Sequence, residues 1–158
     1  MRGKLGALIA GGMMGLPVGA FLWFAFSPLL FDEVVTEALT KAQVVASGAF
    51  RDADRAHRGM GNATLVALSG GGFEIQLTEF EVTNGPDLEV WLSAHPDPDS
   101  KRDVTGNEWL ALGQLKGNVG DQAYAIPAGT DVSTFNSVVI WCEQFGVLFS
   151  PAALKTGS

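Results

Sequence analysis

Between Gly48 and Leu154 no stretch carries the 3.6-residue period of an amphipathic helix. What recurs instead are short β-type runs punctuated by Gly, Asn, Asp and Pro. "ATLVAL" (63–68) precedes three glycines and then "FEIQLTEFEV" (73–82), in which Phe73, Ile75 and Leu77 alternate with polar residues. The apolar phase then slips by one residue, to Phe80 and Val82. Such a slip turns the buried face over unless one residue is extruded, so the pattern predicts a bulge near Thr78-Glu79. "LEVWLS" (88–93) places Leu88, Val90 and Leu92 on one face and Glu89, Trp91 and Ser93 on the other. An outward Trp91 predicts cover by a loop or a partner. "AHPDPDSKRDVTGNE" (94–108) reads as a loop, and "WLALG" and "QAYAIP" read as two further short runs. Roughly six to eight strands over about 107 residues, with turns at this spacing, predict an all-β fold: an antiparallel β-sandwich, or a barrel as the alternative.

The run "SVVIWCEQFGVLF" (137–149) is apolar on both faces, with Val138, Ile140 and Cys142 on one and Val139 and Trp141 on the other, as in a central strand covered on both sides. Glu143 and Gln144 take positive φ poorly, and tight two-residue hairpins need it. The run is therefore expected to continue as one long strand, bent at Glu143-Gln144, with Phe145, Val147 and Phe149 resuming the inward face.

Residues Leu5–Phe31 contain no charged side chain. As a helix they would span about 40 Å, more than the roughly 30 Å of a bilayer's hydrocarbon core. The stretch is long for the apolar region of a cleaved signal, the competing reading, and Ala25-Phe26-Ser27 before Pro28 makes a poor cleavage site. Residues 5–31 are read as a single-pass transmembrane anchor embedded in membrane lipid. Arg2 and Lys4 precede it and Asp32 and Glu33 follow, so residues 1–4 are expected in the cytoplasm and the rest of the chain outside it, at the cell membrane. Residues 32–47, with Val34, Val35, Ala38, Leu39, Ala42 and Val45 near helical spacing, read as a juxtamembrane helix or stalk, or as a continuation of the membrane helix. The β domain then covers 48–154, and 155–158 form a tail.

All 17 Asp and Glu, and all but two of the 10 Lys and Arg, lie after residue 31, a balance of −9. An acidic domain argues against nucleic acid as a partner. The single cysteine cannot form an internal disulfide, so outside the cytoplasm Cys142 must be shielded, paired with another chain, or used. Asp97, Asp99 and Asp103 share a loop but lack the ligand set of a calcium hand, and no metal site is expected. There is no nucleophile elbow, zinc-protease helix or phosphate loop.

The stretches "GAF" (48–50), "ADRAHRGMGNATLV" (53–66), "FEVTNGPDLEVWLS" (80–93), "LGQLKGNVGDQAYAIP" (112–127) and "FNSVVIWCEQFGVLFSPAAL" (135–154) occur in an order that resembles the DM-thirteen domain family, the electron-transfer module that accompanies DOMON domains. The resemblance implies redox work at a cell surface through one cysteine, Cys142, acting as a free thiol or as ligand of a redox group such as haem. His57 is the family's histidine and a candidate cofactor-binding residue beside Cys142. No DOMON domain is seen, so an electron-donating partner would be a separate protein. The residues themselves leave other roles open. Cys142 can be a small buried hydrophobe, His57 a turn cap, and haem ligation would draw on Cys142, His57, His95 or Met60 without a covalent attachment motif. The competing function is a non-catalytic extracytoplasmic β-sandwich that presents Trp91 and Trp109 to a partner.

Overall fold

The computed structural model describes residues 32–157 and, before them, Gly19 alone. The anchor expected over 5–31 lies outside the described residues, among which no helix is long and apolar enough to cross a membrane. Among the described residues, ten strands form two sheets: β1 (Val34–Thr36), β2 (Gln43–Ala49), β3 (Gly59–Ala67), β4 (Phe73–Val82), β5 (Leu88–Ser93), β6 (Trp109–Gln114), β7 (Val119–Ile126), β8 (Ser137–Cys142), β9 (Val147–Ala153) and β10 (Lys155–Thr156). One sheet has the order β1-β7-β4-β3-β2-β10, and the other β6-β5-β8-β9. All pairings are antiparallel except β1 with β7. The all-β sandwich read from the sequence is the observed architecture.

Its core lies between the sheets. Leu65, Ile75, Leu77, Phe80 and Tyr124 from the larger sheet meet Val90, Leu92, Val138, Ile140 and Phe149 from the smaller one, with Cys142 among them. The period-2 alternation of β5 and β8 selects which side chains enter this layer. The phase slip in β4 is accommodated as expected. Leu77 pairs with Gln122 and Glu81 with Val119, so β4 uses one residue more than β7, and Glu79 sits at φ +51°. On the other side, β3 skips from Met60 to Asn62 opposite Glu81 and Thr78. Between them Gly61 adopts φ +97°, and a side chain there would meet the Thr78 and Glu79 carbonyls and the Phe80 backbone at 2.5–2.7 Å. Only glycine satisfies both constraints. The bulge thus returns Phe80 and Val82 to the core that Ile75 and Leu77 already face.

Four expectations are corrected. Residues 32–47 form no helix. Val34–Thr36 pair with Val119–Asp121, and Gln43–Ala49 run antiparallel to β3. Glu37 binds Lys116 Nζ at 2.8 and 2.9 Å and accepts from the Ala123 amide at 2.9 Å. Sheet partners distant in sequence override a weak helical stripe. Nor is 137–149 one bent strand. Glu143–Gly146 form a four-residue loop, β8 and β9 pair as a hairpin, and Gly146 carries the positive φ, +59°, that Glu143 and Gln144 do not supply. Phe145, at the loop tip, is exposed rather than inward, while Phe149 does face the core. Within 94–108, Lys101–Thr105 form a one-turn helix, α1, whose N-cap Ser100 accepts from the Asp103 amide. Two of the residues read as a tail, Lys155 and Thr156, pair with β2 as β10.

Gly61→Ala is expected to lower the unfolding free energy by about 2–4 kcal/mol, because strained backbone and a steric clash add at one position. Urea denaturation checks this; a loss under about 0.5 kcal/mol would mean the bulge tolerates a side chain.

Candidate functional site around Cys142

Cys142 is the last residue of β8, inside the core, with no solvent exposure. Its backbone is paired on both sides, to Leu88 of β5 and to Val147 of β9. The thiol Sγ donates to the Pro86 carbonyl at 3.0 Å, and the next residue, Glu143, donates its amide to the Asp87 carbonyl at 3.1 Å. The end of β8 is therefore fastened to the turn that enters β5. Asp87 in that turn holds φ +56°, a left-handed conformation that Asp adopts at modest cost. The thiol's acceptor belongs to the surface turn 83–87, and the turn 143–146 follows Cys142 directly.

His57 lies elsewhere in the loop between β2 and β3. Asp54 organises it: one carboxylate oxygen accepts from the Ala56 and His57 amides at 2.7 and 2.8 Å, and the other meets His57 Nδ1 at 2.7 Å. The imidazole packs on Phe149, with ring centroids 4.3 Å apart. Gly85 lies against that same phenyl ring, since a side chain at Gly85 would meet Phe149 Cζ at 2.6 Å. A chain of contacts thus runs from the imidazole through Phe149 to the Gly85-Pro86 turn, whose Pro86 carbonyl accepts the hydrogen bond of the Cys142 thiol. His57 and Cys142 share this scaffold, with Phe149 and the turn standing between them. The Asp54 carboxylate on the Ala56 amide is an Asx turn, and the sequence had offered His57 as a turn cap without naming Asp54 as its partner. Pro86, 56 residues from Cys142, was not legible in the sequence.

Haem does not fit this arrangement. An axial thiolate needs an open face at sulfur, whereas Cys142 is enclosed and hydrogen-bonded. His95 Nδ1 accepts from the Asp97 amide at 3.2 Å, and His57 Nδ1 is held by Asp54. An open cleft of about 500 Å³ has Met60, Arg58 and Asp52 in its walls, but neither Cys142 nor a histidine. The aspartates of 97–103 have structural partners: Arg51 Nη2 pairs with Asp97 at 2.7 Å and Asp99 at 2.6 Å, and Asp103 accepts from Ser100 and the Asp99 amide. Asp87, Glu89 and Glu143 bring carboxylate oxygens within 4.8 Å of one another. Asp87 already accepts from Gln114, and Glu89 from Trp91.

The cover expected over Trp91 comes from the chain itself. On the outer face of the smaller sheet, Trp91, Val104, Val139, Trp141 and Leu148 form a second buried cluster, with α1 supplying Val104. Trp109 stacks on Trp91 at 4.1 Å and 13°, and remains 44% exposed.

Hydrogen bonds from His57, first its side chain and then its amide, together with the Ala56 amide, lower the Asp54 carboxyl to about 2. A depressed carboxyl stabilises the folded loop above its unfolded value near 4, and that contribution disappears as pH falls through about 2. Carbon-detected NMR of the Asp54 carboxyl is expected to show a midpoint near pH 2; a midpoint near 4 would mean that the loop is open in solution.

No curated protein and no solved structure matches the chain. A family model described as electron transfer DM13 matches residues 50–154, which takes in the His57 loop, the tryptophan cluster and the whole β8–β9 hairpin with Cys142. On that match, spanning well over half of its length and the family its motifs resemble, the chain belongs to the electron transfer DM13 family.

Proposed function

We propose that this protein is an electron-transfer module held outside the cytoplasm by its N-terminal apolar segment, with Cys142 as its redox group. The observation that carries the reading is the family match across 50–154, within which Cys142 is the only thiol. The uncharged stretch 5–31, flanked by Arg2 and Lys4 on one side and Asp32 and Glu33 on the other, supports the anchor and its orientation. The environment of Cys142 supports thiol chemistry over cofactor ligation, because haem does not fit there. With one cysteine per chain, the thiol's electron partner is intermolecular. The Cys142 thiolate attacks a disulfide of a separate redox protein or small molecule, one sulfur–sulfur bond forms to Cys142, and the displaced sulfur leaves as thiolate.

That step requires access, and the position of Cys142 beside two surface turns supports a route. Cys142 closes the strand, and the next three residues, Glu143–Phe145, are exposed. Separating the Glu143 amide from Asp87 and the thiol from Pro86 would uncover the sulfur while leaving Val138 and Ile140 packed. Such local opening costs less than global unfolding where few contacts are lost.

Alkylation of Cys142 in the full chain, in detergent micelles, tests this at increasing sub-denaturing urea. Labelling at a rate nearly independent of urea is the expected outcome, since a local opening exposes little surface. Labelling that climbs steeply with urea, in step with global unfolding, would assign Cys142 to the core as a small hydrophobe.

A further inference from the structure

The outer cluster of the smaller sheet contains three indoles in contact, from surface to interior. Trp109 is 44% exposed, Trp91 5% and Trp141 2%. Trp91 stands at the centre of the sheet, paired with Ala111 on β6 and Val139 on β8. Trp109 and Trp141 occupy the diagonal positions on those two strands, within reach of large side chains. Ring centroids are 4.1 Å apart from Trp109 to Trp91 and 5.3 Å from Trp91 to Trp141. Stacking adds about 0.5–1.5 kcal/mol per aromatic pair, which explains the packing but not the polar group beside it. Trp91 Nε1 donates to Glu89 Oε2 at 2.6 Å, a short, charge-assisted bond. Asp87 and Glu143 place two further carboxylates within 4.8 Å of Glu89. A buried indole therefore has a carboxylate on its proton and a field of negative charge beside it, and it is connected to solvent by a stacked partner.

We propose that Trp109, Trp91 and Glu89 form a one-electron, one-proton exchange site for one-electron oxidants that dock on the exposed Trp109 face. The oxidant takes an electron from Trp109 and is reduced, and an electron from Trp91 refills Trp109. The resulting Trp91 cation loses its Nε1 proton to the Glu89 carboxylate, leaving a neutral Trp91 radical and a neutral Glu89. In sum, one electron goes to the oxidant and one proton to Glu89. Trp141 extends the aromatic contact to β8, on the face of that strand opposite Cys142. The three carboxylates act twice: they stabilise the indole cation as it forms, and they favour a positively charged oxidant over an anionic one. The inference rests on the electron-transfer reading for its purpose in the cell, not for its chemistry. Its test detects a tryptophan radical rather than thiol exchange, so either reading can fail while the other stands.

The test is flash-quench oxidation of the full chain in micelles by a ruthenium(III) polypyridyl cation, in a Trp23→Phe background that leaves only the three indoles of the sandwich. Transient absorption distinguishes the indole radical cation from the neutral radical. The neutral radical is expected promptly, with a rate that falls in D2O. Glu89→Gln keeps an acceptor but removes the base, and it is expected to slow neutral-radical formation by about tenfold or more while prolonging the cation. Trp91→Phe is expected to remove the prompt phase and leave slow proton loss from Trp109 to water. The near-ultraviolet exciton signal of the Trp91–Trp109 stack, retained in Glu89→Gln, establishes that the variant is folded around an intact stack. A neutral radical that forms at an unchanged rate and isotope effect in Glu89→Gln would overturn the proposal. So would a prompt phase that survives Trp91→Phe.

Discussion

Burial of β8 on both faces is the constraint on which the rest of the molecule depends. All six of its residues are buried. Val138, Ile140 and Cys142 close the core between the sheets, and Val139 and Trp141 anchor the outer cluster under α1. Such a strand cannot slip by one residue without exchanging its two faces. Its register fixes β5 and β9 on either side, and through β5 it fixes β6 and the position of Trp109. A side chain of this size fully buried is worth about 1.5–3 kcal/mol, and β8 holds several.

Polar contacts play a different part. Arg51 with Asp97 and Asp99, Glu37 with Lys116, and Asp54 with His57 all lie at the periphery, where exposed ion pairs contribute little to stability. They hold loops against the sandwich. Arg51 ties the loop before α1 to the end of β2, and Glu37 ties the first residues of the sandwich to β7. The Pro86 and Asp87 carbonyls serve the same purpose for the end of β8. The end of β8 is thus held by its ladder pairs to Leu88 and Val147 and by two hydrogen bonds to a surface turn, and there the one thiol sits.

How much was legible in the sequence follows from the range of the forces involved. The alternation of β5 and β8 is local, and so is the one-residue phase slip that marks the Glu79 bulge; both could be read directly. The stripe from Val34 to Val45 satisfied a helical period by coincidence. What decides its structure is pairing with β7 and β3, and Glu37 finds its cation 79 residues away. The 143–146 loop was misread because positive φ was sought at Glu143 and Gln144, whereas the glycine two residues on supplies it. The need to cover Trp91 was visible, but the identity of the cover was not. Diagonal neighbours on β6 and β8 depend on the register of two strands that no single run specifies. For the same reason Cys142 could be placed on an inward strand face beside a bend from sequence, while the strand's end there and its acceptor, Pro86, could not.

These features join in a domain whose one cysteine is enclosed at the end of β8, and its proposed redox role requires the two turns beside it to release. The most direct measurement is equilibration of the full chain in glutathione buffers of graded redox poise, followed by mass spectrometry of the Cys142 peptide under conditions where the protein stays folded. Because the chain has one thiol, the oxidised product is a mixed disulfide. The expected result is a Cys142–glutathione fraction that rises and falls reversibly with poise while the fold persists. A thiol that stays unmodified in the folded protein at every poise, and reacts only after unfolding, would contradict a redox role for Cys142.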